Sequence, residues 1–401
     1  MWAGLAASAI GDQLFAVVLS WVAVGIFGTA AGYLSVLQAG VLVLATLLAG
    51  GWADRRGQMG VMIGADLARA ACLLVAVAAW LAAGRPAGWS LVACVLVLAG
   101  GMALFRPALQ ASLPHLARDP ALLPAANALL DTTDRIARLL GPGLVGLTAS
   151  LVPLVHFVTL DAVSFLVSAG AVATIAWLHP APKVLPRRES GLSAVLRGFA
   201  AVRRHRLLFF VLCVSGVING AWQAAYFLGL PLMIEHDGVT GPGGTGLAAY
   251  GLVISAYGST NLLGTLVVGN RAMPRHPARL IFVGNCLGGL GVLLLGAAGL
   301  LLAPAWQLPA FCAAAAVGAV AGPMQDIMVA TLRQTELPRA DIAAAVRAFI
   351  LVNNLGLLLT LAAAPSLFDA IGVAPAVLLC GAAYAGAGVA GLLRFGFKSS
   401  T

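Results

Sequence analysis

Apolar segments of roughly 20 residues or more recur from one end of this chain to the other. Each is long enough to cross the ~30 Å hydrocarbon core of a bilayer as a helix. The composition agrees, because 61% of the 401 residues are hydrophobic and only 9% are charged, whereas soluble domains carry about 25% charged residues. A chain inside hydrocarbon must satisfy its backbone polar groups internally, which favours helices. The sequence therefore predicts an all-α membrane protein with twelve transmembrane helices.

Part of the first half of the chain recurs in weakened form in the second half. The segment 46–66, TLLAGGWADRRGQMGVMIGAD, resembles the segment that begins at Leu262, LLGTLVVGNRAMPRHPARLIFVGN. The two segments superpose when Asp54 is laid on Asn270. A chain that repeats its own apolar helices and their basic loop is typical of two equal units. We therefore expect two pseudo-symmetric six-helix bundles, an architecture that most often serves alternating access around a site between the halves.

One long polar stretch separates the two sets of six spans. We expect an N-terminal bundle over 1–178, a basic linker over 179–206 and a C-terminal bundle over 207–401. Among the 23 Lys and Arg residues, only Arg85 falls away from the membrane side that carries both termini. The positive-inside rule predicts that this side is cytoplasmic. The net charge of +9 is therefore interpreted as a topology signal, and no nucleic-acid partner is expected.

Patterns that serve catalysis or cofactor binding are missing from the sequence. There is no GxxxxGK[ST] phosphate-binding loop, so ATP drive is not expected. No pair of His or Cys residues has the spacing of metal ligands, and the six cysteines fall inside spans, where they serve as small packing residues. The sequence predicts a monomer that is not an enzyme, with no cofactor and no metal. Its expected partners are a small-molecule substrate, protons and the lipid bilayer.

Carboxylates inside the predicted spans are the strongest signal for a functional site, because an ionised group there costs several kcal/mol unless it is paired or hydrated. Asp131 and Asp134 each have an arginine at i+4, so these two could form structural ion pairs along their own helix. Asp12 and Asp161 have no basic residue at i±3 or i±4. They are the better candidates for a protonation switch, and hydrogen bonding to a neighbouring helix is the alternative.

Short motifs follow one another in order along the chain: Trp2-Ala3-Gly4, Ile10-Gly11-Asp12, Gly50-x-x-x-Asp54-Arg55-x-Gly57, Phe105-x-Pro107-Ala108, Ala126-Asn127-Ala128-Leu129, Gly141-Pro142-x-x-x-Gly146 and Asp161-Ala162-x-Ser164-Phe165. Together they resemble the major facilitator superfamily, and within it the twelve-span drug and metabolite exporters of the enterobactin-exporter and macrolide-efflux type. The resemblance covers nearly the whole chain. It implies the major facilitator fold, secondary active transport, and a place in a bacterial-type cytoplasmic (inner) membrane with both termini in the cytoplasm.

The resemblance implies gating roles for two of these motifs, whose residues are Gly50, Asp54, Arg55, Gly57, Gly141, Pro142 and Gly146. In the family, the aspartate at the position of Asp54 contacts the eleventh helix and stabilises one access state. The alternative is that Asp54 only caps the third helix. Departures from the family pattern include Gln58 and Met59, which stand where two basic residues are usual, and Val145, which stands where a glycine is usual.

The resemblance also links an arginine of the fourth helix to proton traffic, which points to Arg106. Pairing of Arg106 with an aspartate of the fifth helix is the alternative. Polar stripes on membrane helices must face protein or water, and in this superfamily helices 1, 4, 7 and 10 line the pathway. Interhelical hydrogen bonding is again the alternative. The predicted cavity residues are Gln13, Met102, Asn219, Trp222, Gln223, Tyr226, Tyr257, Asn261, Met324, Gln325, Met328 and Asn354.

The function expected from sequence is export of a small amphipathic molecule, such as a drug, an antibiotic or a secondary metabolite, by proton antiport. The antiporter-like segment at Gly141 and Pro142 is the main ground for export. A siderophore exporter and a proton-coupled metabolite importer are alternatives. A non-transporting membrane sensor or scaffold is an alternative of another class, although a scaffold gains nothing from carboxyl groups buried in its spans.

Overall fold

The computed structural model describes residues 2–48, 57–116, 123–178, 191–271 and 274–396. In these residues every regular element is a helix. The helices are α1 (Trp2–Phe27), α2 (Gly32–Leu48), α3 (Gln58–Ala83), α4 (Gly88–Leu116), α5 (Leu123–Thr148), α6 (Leu154–Leu178), α7 (Gly191–Arg203), α8 (Arg206–Gln223), α9 (Leu230–Asp237), α10 (Gly246–Gly269), α11 (Pro277–Leu301), α12 (Pro304–Ala319), α13 (Ala321–Glu336), α14 (Arg339–Ile371) and α15 (Val373–Phe395).

Ten described segments are long and apolar enough to cross a membrane. The first of them, Trp2–Ala45, contains two helices, α1 and α2. The helix α5 is the remaining span, and its two Asp and two Arg residues lower its hydropathy. The pair α8 and α9, joined by a π-helical turn at Ala224–Gly229, forms one span, as does the pair α12 and α13. The prediction of an all-α fold with twelve spans is confirmed.

Local residue choices explain where several helices begin and end. Gly57 and Gly84 flank α3 with φ of +74° and +68°, a left-handed conformation that glycine adopts without steric cost. Pro277 begins α11 and Pro304 begins α12, where the missing N–H of proline is not needed. At the start of α10, the hydroxyl oxygen of Thr245 accepts a hydrogen bond of 3.2 Å from a backbone N–H of the first turn.

The helices pack as two six-span bundles. In the first bundle, α3 lies between α4 and α6, and α1 packs against α5 and α6. In the second bundle, α8 packs against α14, and α11 packs against α12 and α15. The short helix α7 lies between the bundles in sequence and packs on α14. Contacts between the bundles are made mainly by α5 with α10 and by α2 with α14.

Because the spans alternate in direction, both described ends of the chain lie on one face, which we call the terminal face. Close contacts between the bundles gather at the opposite face. A Cβ atom on Gly246 would lie within 2.9 Å of the Trp21 ring, and one on Gly32 would lie 3.1 Å from Pro365. These contacts join α1 to α10 and α2 to α14 near the outer ends of the helices. They close the space between the bundles at the opposite face.

Candidate functional site

A cavity of about 1190 Å³ lies between the two bundles, and both contribute its walls. Its lining includes groups from α1, α4 and α5 on one side and from α8, α10, α13 and α14 on the other. The structure places most of the residues predicted for proton coupling and for the cavity on its walls: Asp12, Gln13, Met102, Arg106, Asp134, Asn219, Trp222, Gln223, Tyr226, Tyr257, Asn261 and Gln325. Their roles in transport stay predictions.

Three residues predicted to line the cavity lie elsewhere. Met324 and Met328 are buried in the second bundle, where Met328 belongs to a core that includes Phe282. On α13 the cavity face carries the predicted Gln325 together with Asp326, Val329 and Ala330, so the helix is rotated by about one residue, roughly 100°, from the position that would expose both methionines. Asn354 donates a hydrogen bond of 2.8 Å to the Ile350 carbonyl of its own helix.

The cavity wall of the first bundle carries an ion pair between neighbouring helices. The guanidinium of Arg106 on α4 lies 2.8 Å from the carboxylate of Asp134 on α5. The sequence offered two partners for Asp134, Arg138 on its own helix and Arg106 on the fourth helix, and the observed pair is the second, formed across the α4–α5 contact. Arg106 is 57% exposed, so solvent reaches the cavity. The side chain of Asp131 lies outside the described residues.

A second ion pair is buried deeper in the same bundle. Asp66 and Arg69, one turn apart on α3, form this pair, and their side chains are 0% and 4% exposed. The Arg69 guanidinium carbon lies 5.0 Å from the ring centroid of Phe105 and 4.1 Å from that of Phe165. These rings hold the cation between α4 and α6. Arg69 also reaches the cavity wall.

Asp161 does not line the cavity but is fully buried behind it on α6. Its carboxylate accepts a hydrogen bond of 3.3 Å from the Ser164 hydroxyl. A Cβ atom on Gly11 would lie 2.6 Å from the Asp161 Oδ1 atom, so only glycine admits the carboxylate this close to α1. Asp161 therefore lies beside the backbone of the residue that precedes Asp12.

The ionisable groups of the first bundle form one electrostatic cluster. Asp12 interacts with the charges of Arg69 and Arg106 and with the nearby aspartates, and Asp161 interacts with Asp12. The charged residues of the first bundle that line the cavity are Asp12, Asp134, Arg69, Arg106, Arg135 and Arg138. Acidic and basic side chains therefore alternate on this wall, and a buried charge there is costly unless a counter-charge or a proton neutralises it.

The facing wall of the second bundle is dominated by aromatic rings. The ring centroids of Trp222 and Tyr257 are 5.7 Å apart, and those of Tyr226 and Tyr257 are 5.1 Å apart. The Tyr226 hydroxyl is buried without a hydrogen-bond partner among the described residues, as is the Gln325 side-chain oxygen. Asn261 donates a hydrogen bond of 3.1 Å to the Ala319 carbonyl. This wall combines flat apolar surfaces with polar atoms that a solute could satisfy.

Sequence reasoning did not place several residues that line this cavity: Arg69, Asp326, Arg333 and Tyr384. Asp326 and Arg333 interact electrostatically on α13. The internal repeat offered one signal for Asp326, because the offset that lays Pro107 on Pro323 also lays Gln110 on Asp326. Among the described residues, no group of His, Cys, Asp and Glu side chains could hold a metal ion.

Only some of the predicted gating residues lie in the part of the chain that the structure describes. Gly50, Asp54 and Arg55 lie outside the described residues. Gly141 approaches Gln13 on α1, and Gly146 faces Gly251 on α10, where a Cβ atom on Gly251 would lie 2.7 Å from the Gly146 Cα atom. This close approach requires glycine on both helices. It lies in the half of α5 nearer the opposite face, where the two bundles meet.

The family follows from comparison with known proteins. The sequence profile described as Major Facilitator Superfamily matches residues 1–295. The chain belongs to the major facilitator superfamily. The fold agrees with solved superfamily structures, and a search of curated proteins found no match.

One similar solved structure is an auto-inhibited peptide transporter of the POT family, which is 12% identical in sequence. The alignment covers 100% of this chain and 96% of that transporter, with a TM-score of 0.74. A nucleoside transporter is 14% identical over 98% of this chain and 99% of its own, with a TM-score of 0.71. A POT family transporter in complex with a thioalcohol-conjugated peptide is 13% identical over 100% of this chain and 96% of that transporter, with a TM-score of 0.69. At these identities the likeness shows the fold alone.

Proposed function

We propose that this superfamily member exports a small amphipathic molecule, such as a drug, an antibiotic or a secondary metabolite, in exchange for protons. The observation that carries the proposal is the 1190 Å³ cavity between the bundles, with a cluster of carboxylates on one wall and aromatic rings on the other. A transporter needs a site that both bundles enclose, because rocking of one bundle against the other then exposes the site to each side in turn.

The distribution of charge supports the orientation. Described Lys and Arg residues lie toward the terminal face, with the exception of Arg85 in the turn between α3 and α4. By the positive-inside rule the terminal face is cytoplasmic, and the membrane is a bacterial-type inner membrane. Close contacts seal the opposite face and Arg106 is exposed in the cavity, which supports a cavity open toward the terminal face, the side proposed to be cytoplasmic. A single chain encloses the cavity, so we propose that the protein works as a monomer.

Asp12 and Asp161 are the proposed proton-coupling pair. Asp12 lies about 15 Å along α1 at 1.5 Å per residue, near the middle of a ~30 Å core. It lines the cavity, whereas Asp161 is buried one helix behind it. Loss of a proton from Asp12 adds a negative charge to the cavity wall, where it faces the guanidinium groups of Arg69 and Arg106. A state in which the wall is more hydrated is then favoured, and this couples proton release to the change of access.

The aromatic wall is the proposed surface for substrate recognition. Trp222, Tyr226 and Tyr257 line the cavity and pack against one another, and Asn219 and Gln223 lie on the same wall. Ring faces attract apolar and cationic groups alike. The other wall carries both carboxylates and guanidinium groups, so the preference for a neutral or cationic amphipathic molecule rests on the aromatic rings alone.

The test is efflux of a fluorescent amphipathic cation from cells that express the chain, with and without a proton uncoupler. We expect uncoupler-sensitive efflux that is lost in Asp12→Asn. A matched control is Asp369→Asn, which removes an exposed carboxylate outside the cavity. Efflux that persists in full after the pH gradient has been collapsed would contradict proton antiport.

Uptake of a polar metabolite is the second candidate function. Five amide side chains line the cavity from the second bundle, which are Asn219, Gln223, Asn261, Gln325 and Asn353. Such groups suit a solute with several hydrogen-bonding atoms. Accumulation of a peptide or nucleoside by expressing cells, without dye efflux, would favour uptake. Absence of transport in either direction by folded protein would favour a sensor or scaffold.

A further inference from the structure

A second cavity, of about 440 Å³, lies at the terminal face and shares no residue with the central one. It is bounded by α7, α8 and α15, and its wall consists of Arg203, Arg206, Phe209, Phe210, Cys213 and Arg394. We call it the arginine pocket. The roles proposed for the central cavity do not use it, so it requires an explanation of its own.

Three guanidinium groups converge on the arginine pocket. Arg203 ends α7, Arg206 begins α8 and Arg394 lies in the last turn of α15. None of the three forms an ion pair with another described residue, and all are exposed. Cations held together repel one another unless an anion lies between them. Arginine is also the side chain best suited to phosphate, because its planar donors match two oxygens at once.

The floor of the pocket is rigid and apolar. The Phe210 ring lies 5.6 Å from the Phe282 ring and 5.4 Å from the Phe395 ring, measured between centroids. The Arg394 guanidinium carbon lies 6.0 Å from the Phe210 centroid, which restricts where its charge can point. This packing presents one of the three charges on a fixed surface.

The pocket continues into the lipid-facing surface of the second bundle. Along α8, Cys213 and then Val217 are exposed, and Leu393 on α15 is 71% exposed. From Arg206 to Val217, α8 extends about 16 Å at 1.5 Å per residue, which is comparable to half of a ~30 Å hydrocarbon core. A ligand with a negative head and apolar chains of that length fits the surface, whereas a soluble anion would use only the arginines.

We propose that the arginine pocket binds the phosphate headgroup of an anionic phospholipid, with the acyl chains against α8 and α15. The bound phosphate joins the end of α7 to the second bundle through Arg203, Arg206 and Arg394. Because α7 also packs on α14, the lipid stabilises the linker helix on that bundle. The proposal does not depend on the direction of transport or on the substrate.

The test is thermal unfolding of the purified, delipidated full chain in a neutral detergent. Titrations use phosphatidylglycerol, phosphatidylcholine and inorganic phosphate. We expect phosphatidylglycerol alone to raise the unfolding temperature. The double variant Arg206→Gln/Arg394→Gln should weaken phosphatidylglycerol binding about thirty-fold, whereas Arg204→Gln should leave it unchanged. Arg204 is the matched control because it is exposed and adjacent in sequence but is not part of the pocket wall.

Equal stabilisation by phosphatidylcholine would overturn the charge-based site, and equal stabilisation by inorganic phosphate would overturn the lipid assignment. Equal loss of affinity in the Arg204→Gln control would overturn the location. If the double variant folds poorly, the single variant Arg394→Gln carries the test with an expected loss of about fivefold. In Arg394→Lys most of the affinity should return, because the positive charge is kept.

Discussion

In the first bundle the polar groups around the central cavity are mostly charged, whereas in the second they are mostly aromatic rings and amides. Asp12 and the Arg106–Asp134 pair stand on the first wall. Trp222 and Tyr257 stand on the second. The two bundles descend from one repeated pattern, so the difference lies in the side chains rather than in the helices that carry them.

The contrast indicates a division of labour. Charged groups inside a membrane are costly and are retained where a charge must move. Aromatic and amide groups contribute contact area and hydrogen bonds at little electrostatic cost. We therefore expect substitutions in the first bundle to change energy coupling or stability, and substitutions in the second bundle to change affinity. Each prediction below tests one side of this comparison.

The largest effect is expected for Asp12→Asn, which removes a titratable group from the cavity wall and keeps its size. Proton-driven transport in proteoliposomes should be abolished, because the cluster can no longer alternate between charge states at that position. Substrate binding to the purified protein should persist and lose its pH dependence. Control proteoliposomes carry Asp369→Asn. Unchanged proton-driven transport in the Asp12 variant would contradict the proposal that the charged wall of the first bundle couples transport to protons.

The next effect is on stability and concerns the buried pair of Asp66 and Arg69. Asp66→Asn leaves the arginine charge buried without its counter-ion and should destabilise the protein by about 3–5 kcal/mol. The double variant Asp66→Asn/Arg69→Met removes both charges and should recover most of this loss. The measurement is the unfolding temperature in detergent. Equal instability of the single and double variants would show that packing of Arg69 on Phe105 and Phe165, rather than its charge, sets the cost.

A smaller effect is expected on the second wall. Trp222→Ala removes a ring that contacts Tyr226, Phe227 and Tyr257 and should weaken substrate binding about tenfold. The ratio of protons to substrate should stay the same, because no charge is altered. Leu263→Ala, an exposed apolar residue of α10 outside the cavity, is the control. A changed ratio of protons to substrate in Trp222→Ala would contradict the separate roles proposed for the two walls.

The sequence was sufficient to predict the fold class and insufficient to predict the orientation of every side chain. Apolar length and the internal repeat depend only on the chain, so twelve spans in two bundles could be foreseen. Met324 shows the limit, because a rotation of one helix by about 100° exchanges core for cavity. Asp134 is a second example. The sequence offered both Arg138 and Arg106 as its partner, and only the contact between α4 and α5, which brings Arg106 within 2.8 Å, decides between them.

The smallest effect on stability is expected for the ion pair between α4 and α5. Arg106 and Asp134 are 57% and 35% exposed, so water screens their attraction, and Arg106→Gln should cost at most about 1 kcal/mol of unfolding free energy. The same variant should reduce the transport rate, because it removes one of the two cations that offset the aspartates near Asp12. Unfolding and proton-driven transport are measured on one preparation. A large loss of stability with normal transport would make this pair structural, like Asp66 and Arg69, and would confine the coupling role to Asp12 and Asp161.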